Sequence, residues 1–294
     1  MRLSKVLAVL LAFAVAASAG AQPMAPATWK SITSTAQQQI REAQQATKRY
    51  ASLDSARADG FGPVFGWIPT MGTHWVSGQR MLAGKGFTLA SPSQLMFSRV
   101  NGKETLVGAA YAYVTPVSDS VRPPSFDGNP PWHEHPDLAP PGTTLVMLHV
   151  WFVPSPDGPF AGHNPYLPFW ALGLTPPDED RMTDEAESAR VRKAALGLGE
   201  VADTNGLFRG LARRPAVRPV LDERRAAIRA LVPQLDSAQR ASDWKRWDAV
   251  ADQIGSHWQA IREAYLASAV NPFVHARMEK FLDEMLSAHA GHVH

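Results

Sequence analysis

Apolar residues recur along this chain with two different rhythms, and the change of rhythm marks its regions. Over residues 28–50, Ile32, Ala36, Ile40, Ala43, Thr47 and Tyr50 fall at steps of three and four, which places them on one stripe of a helix. Ser52 is placed to cap a short second helix, and Gly60 stands where a left-handed terminating residue belongs. From Phe61 the helical spacing disappears, and aromatic, β-branched and glycine residues take over. Gln94–Val100 and Lys103–Val114 flank Asn101-Gly102, a hairpin signal because both central residues of such a turn need positive φ. Pro116 is expected to end the second strand. Thr143–Val153 reads as a further strand. Its Leu145, Met147, His149 and Trp151 share one face, and Val146, Leu148, Val150 and Phe152 share the other. Both faces are largely apolar, so the strand should be buried on both sides.

Between these strands lies Val117–Gly142, crowded with prolines at 123, 124, 130, 131, 136, 140 and 141. Proline has no donor for a ladder, so the segment cannot be a central strand, and a loop this long in a compact domain is commonly functional or disordered. The helical rhythm returns after Thr175. Thr183–Val201, Pro219–Ala241, Ser242–Ser268 and Asn271–Ala288 read as helices, with Asn271-Pro272 as a cap followed by proline at the first helical position. Trp247, Val250, Ile254, Trp258, Ile261 and Tyr265 form one apolar stripe, and Val274, Met278, Phe281 and Met285 form another. Pro233 is expected to kink or split its helix. The sum is an α+β chain: an N-terminal helix, an antiparallel sheet with a long proline-rich loop, then a C-terminal helical region.

Residues 1–21 read as a secretory signal. Arg2 and Lys5 supply the charge, Val6–Ala17 is an apolar run too short to span a bilayer, and Ala19-Gly20-Ala21 offers a small-residue cleavage site before Gln22. The expected division is therefore 1–21 signal, 22–174 α+β domain and 175–294 helical domain. The mature chain is expected to be soluble and exported, with the periplasm the compartment chosen and no later membrane span. Removing Arg2 and Lys5 leaves 27 basic against 27 acidic residues, and a neutral chain without a basic run is a poor nucleic-acid binder. The absence of cysteine excludes disulfides, thiol catalysis, cysteine-zinc sites and a lipoprotein anchor.

Several short segments between residues 46 and 170 occur in a telling order. They are Ala58-Asp59-Gly60-Phe61, Pro69-Thr70-Met71-Gly72-Thr73-His74-Trp75, Leu106-Val107-Gly108-Ala109-Ala110-Tyr111, Leu148-His149-Val150-Trp151 and Asn164-Pro165. This run resembles a family of exported bacterial proteins with the pattern ADGY … MGxHY … LVGVEY … LHVW … NPxGxF … NP. The family has no established activity, so the resemblance implies export and a coherent domain but no reaction. The chain departs from the pattern at Trp75, where the family has tyrosine, and at Ala110, where it has glutamate. It also carries Trp132-His133-Glu134-His135 where the family has a plain loop. If the family's two histidines and glutamate formed a site, this chain has lost one carboxylate and gained two imidazoles.

Five of the ten histidines lie between residues 74 and 163. His133 and His135 in an extended segment point the same way, which suits two ligands on one ion. The same H-x-H spacing opens a cupin motif, but the rest of that motif is missing, so a cupin is analogy only. His149 falls mid-strand on an apolar face, and His74 follows a glycine-containing turn that a sheet can bring to the same strand. The candidate ligands are thus His74, His133, His135 and His149, for Zn(II) or copper. Met71 and Met147, each near a candidate histidine, weigh toward copper, although core filling is the ordinary role of methionine. Three classes of function remain open on the sequence. They are an exported metal-binding protein, a metal-free envelope interaction protein, and a metal-dependent enzyme with Glu134 as a base beside the ion. No G-x-S-x-G, P-loop or H-E-x-x-H is present, and Gly197-x-Gly199 does not follow a strand, so it is no dinucleotide site.

Overall fold

The computed structural model describes residues 32–64, 66–130, 132–202 and 209–287; the expected signal segment and the tail histidines 289, 292 and 294 lie outside them. In chain order the elements are α1 (Ser34–Thr47), α2 (Leu53–Ala58), β1 (Gly62–Pro63), β2 (Thr73–Val76), α3 (Gly78–Leu82), β3 (Gln94–Val100), β4 (Lys103–Pro116), β5 (His133–His135), β6 (Thr143–Trp151), α4 (Leu167–Ala171), α5 (Glu185–Ala202), α6 (Arg209–Ala212), α7 (Arg218–Arg240), α8 (Trp244–Ala267) and α9 (Pro272–Glu284). The chain is α+β: helix, six-stranded sheet, helices. Among the described residues no helix is long and apolar enough to cross a membrane.

Local chemistry explains most element ends. Thr33 caps α1 by accepting from the Ala36 N–H, and Ser52 and Ser55 form a reciprocal capping box at α2. The stripe of α1 buries Ala36, Ile40, Ala43 and Thr47, as its spacing predicts. Asn101 and Gly102 take φ of 49° and 78°, the left-handed pair that closes the β3–β4 hairpin. Every strand pairing is antiparallel, in the order β1-β2-β3-β4-β6-β5. One side of the sheet is covered by α1, whose Ile40 and Ala43 pack with Ala109, Tyr111, Leu148 and Val150. On the other side, Met96 and Trp151 meet Ala161 and Leu167.

Two expectations about the helices are corrected. Helix α7 runs unbroken through Pro233; Ile228, Leu231 and Leu235, buried on either side of it, hold the helix despite the missing donor. Helix α8 starts at Trp244 rather than Ser242. Ser242 has φ of 52° and belongs to the turn, while Asp243 is the cap, accepting from the Arg246 N–H at 3.1 Å. The strand expected over Thr143–Val153 stops at Trp151.

The helical core begins before residue 175. Ile68, Phe169 and Leu174 are buried in the same cluster as Trp247, Ile254 and Trp258. The Gly197-x-Gly199 pair sits inside α5 and serves this packing. A Cβ on Gly197 would lie 2.6 Å from the Ile254 side chain, and one on Gly199 would lie 2.5 Å from the Pro69 ring. Arg192 of α5, almost wholly buried, reaches Asp157 at 2.5 Å and so ties the helices to the loop after β6.

Candidate metal centre

The register places the histidines. His74 pairs across with Met96, Met96 with Gly108, and Gly108 with Trp151; one step along, Ala110 pairs with His149. On the far side of β6, His133 faces Met147 and His135 faces Leu145. Side chains alternate along a strand, so His74, His133, His135 and His149 all stand on one face of the sheet, with Met96 and Met147 among them.

His74 and His149 are 5% and 1% exposed, and their Nε2 atoms stand 3.4 Å apart across β3 and β4. The small residues Gly108 and Ala110 of β4 lie between them in the register and leave room for the two rings. The His133 ring stacks obliquely on that of His149 at 5.0 Å between centroids and meets the His135 ring edge-on at 4.9 Å. Both buried rings are held neutral. Burial pushes His74 down to about 4, helped by His135, and burial takes His149 well below the ordinary histidine value, helped by His133, His74, His135 and His163. A neutral imidazole is the form that ligates metal.

The Nδ1 atoms of His74 and His149 are buried without a hydrogen-bond partner among the described residues. Whether the pair shares a proton at Nε2 or holds an ion there, both Nδ1 atoms stay unsatisfied, at a cost of roughly 1–3 kcal/mol for each such group. With neither Nδ1 engaged, both rings are free to carry their proton there. That leaves two Nε2 lone pairs converging from 3.4 Å. Two imidazoles on one tetrahedral ion, with bonds of about 2.0–2.1 Å, have their nitrogens about 3.3–3.4 Å apart. A third donor is not yet in place: among the described residues no group of three or more His, Cys, Asp or Glu side chains is gathered to hold a metal ion.

A fifth histidine joins the face, and the list of candidate ligands drawn from the sequence omits it. His163 has its Nδ1 2.8 Å from the Thr70 hydroxyl and is electrostatically coupled to His149. The Asn164 N–H donates to the Thr70 carbonyl at 2.7 Å, so the turn that carries His74 and the segment that carries His163 are locked together. Trp151 stacks on His149 and donates its indole N–H to Ala161 at 2.7 Å, fixing the loop that delivers His163. The signal in the sequence was the Gly-His-Asn-Pro run at 162–165, which lies outside any strand and so carries no face.

Three expectations change. Glu134 does not stand beside the histidines: alternation turns it to the opposite face, where it is paired with Arg122. The base imagined for a metal enzyme is therefore occupied elsewhere. Met71 packs against the helical core and not on the histidine face. Gly72 turns the chain at φ of 71°, and a Cβ there would lie 2.4 Å from the Phe97 carbonyl, so the backbone of this turn is pressed onto β3. Finally, the proline-rich loop contains a strand, β5. It lies at the sheet edge, where the prolines around it cost no ladder bonds.

Ala110 is directly opposite His149. Pro69–Trp75, Leu106–Tyr111, Leu148–Trp151 and Asn164-Pro165 all supply or flank residues of this face. Comparison of the chain with protein-family models, with curated proteins and with solved structures returns no match in any of the three.

Proposed function

We propose that this is an exported protein that binds one transition-metal ion, Zn(II) or copper, through His74 and His149, completed by His133 or His135. The observation that carries the reading is the buried pair itself: two neutral rings whose Nε2 atoms face each other at 3.4 Å. The third ligand comes from β5, a three-residue edge strand held by only one neighbour, so a small shift of its backbone brings an imidazole inward. His163, whose Nδ1 meets the Thr70 hydroxyl at 2.8 Å, lies close enough to His149 to act on it electrostatically. The likeness of residues 46–170 to an exported family, and the signal-like residues 1–21, support a location outside the cytoplasm.

The test is a thermal-shift and equilibrium titration of the untagged mature chain with Zn(II) and Cu(II). An ion that binds only the folded state raises Tm by mass action, by about 2.7 kcal/mol of stability at a hundredfold excess over Kd. The rise is expected to vanish in His74→Ala and in His149→Ala, and to survive replacement of His289, His292 and His294 by alanine. If wild-type protein binds neither ion, or if only the tail replacements abolish the effect, the metal-free interaction protein is the better reading. Intact mass of the exported chain should start at Gln22; retention of Met1 would sink the export reading.

A further inference from the structure

The residues around the histidine pair are neutral, and two of the donors among them are soft. Resting on the metal-binding reading above, we infer that the ion is copper in its monovalent state, with the Met147 thioether as a ligand beside His74, His149 and His133. Three observations lead there.

The first is charge. The one acidic residue in β5 or β6, Glu134, is turned to the other face and paired with Arg122, and Ala110 stands directly opposite His149. An ion held here by imidazole and thioether keeps its full charge. The second is burial. His74, His149, Met147 and Trp151 are all nearly inaccessible to water. The penalty for taking an ion out of water grows as the square of its charge, so Cu(I) pays about a quarter of what a divalent ion of similar size would. The third is the position of Met147. It stands two residues from His149 on the same strand and face, and directly across from His133. In the register Met147 is thus next to two candidate imidazoles, with Ala110, Ala112 and Leu145 packed around it, and thioether ligands select Cu(I) over harder ions. Met96 is the poorer candidate. Its methyl group lies 2.4 Å from where a Cβ on Gly108 would be, and it packs with Trp151 and Leu167.

The experiment uses the full untagged chain, made metal-free. Cu(I) is titrated anaerobically in competition with a chromophoric Cu(I) chelator, and Zn(II) in competition with a zinc indicator. Wild-type protein is expected to take one Cu(I) at least about a hundredfold more tightly than Zn(II). Met147→Leu keeps the side-chain volume; it should weaken Cu(I) by at least about tenfold and leave Zn(II) within about twofold. X-ray absorption of the copper-loaded wild type should show a sulfur neighbour, a measurement that does not depend on how well the variant folds. Tighter Zn(II), or a copper shell of nitrogen alone, overturns the copper inference and leaves the metal-binding reading standing. Binding of neither ion overturns both.

Discussion

The helical region and the sheet both bury polar groups, but they treat them differently. In the helices the buried charges answer one another. Glu200 of α5 accepts from Arg225 of α7 at 2.5 Å and from the Tyr265 hydroxyl of α8 at 3.2 Å, and Arg192 meets Asp157. Burial pushes the Glu200 carboxyl up, and Arg225 pulls against it. In the sheet, His74 and His149 meet at Nε2, and each keeps a ring nitrogen with no hydrogen-bond partner among the described residues. The helices too hold polar atoms without a hydrogen-bond partner among the described residues, at Gln239 and Trp258, so what sets the sheet apart is a buried pair of imidazole nitrogens that face each other.

The sharpest way to break this contrast is to unpair the helical network. Arg225→Met leaves a buried carboxylate without its cation and should cost about 3–5 kcal/mol in chemical denaturation. The double variant Glu200→Leu with Arg225→Met should recover most of that. A loss below about 1 kcal/mol would mean that the pair is not structural.

The next effect is pH. Both buried histidines have folded values below the unfolded value of about 6.5. Above that pH neither state is protonated at these rings. Below it the unfolded chain takes up protons that the folded chain refuses, so stability is lost as pH falls, until about pH 4 for His74. The metal-free protein should lose about 1.4 kcal/mol per pH unit for each ring through this window. Between pH 6.5 and 5 ordinary carboxylates add little, and the slope there should disappear when both histidines are replaced by leucine. A flat profile for the wild type would mean that the pair is hydrated.

Smaller in size but more discriminating is His149→Leu measured without metal at pH 7.5. If His149 serves a ligand, an apolar side chain of similar bulk should leave the stability unchanged or raise it by about 1 kcal/mol, while the metal-induced Tm shift is lost. A loss above about 2 kcal/mol would place His149 with the structural groups. The smallest effect lies at α9, where Asn271 accepts from the Val274 N–H at 2.9 Å. Asn271→Ala should cost about 1 kcal/mol and leave metal binding untouched.

Much of this molecule is legible in its sequence because much of it is local. The α1 stripe, the Ser52 and Asn271 caps, the Asn101-Gly102 turn and the two-sided burial of β6 each follow from sterics and hydrogen bonds acting over a few residues, and each stands where the spacing puts it. The alternation that sets His149 on an apolar face is local too. Which other side chains share that face is not. It depends on β5, three residues among prolines with no periodicity to read, and on its register against Met147 and Leu145. It depends also on the irregularity in pairing between Met96 and Phe97, which a single strand cannot announce. Those long-range pairings turn Glu134 away and bring His74 to His149, while the Thr70 contact draws His163 in and Met71 is given to the helical core. Sequence determined the rhythm of each element, since backbone geometry is decided between neighbours. Only the tertiary structure decided the company His149 keeps, since His74, 75 residues away in the chain, reaches it only through the register of the strands between them.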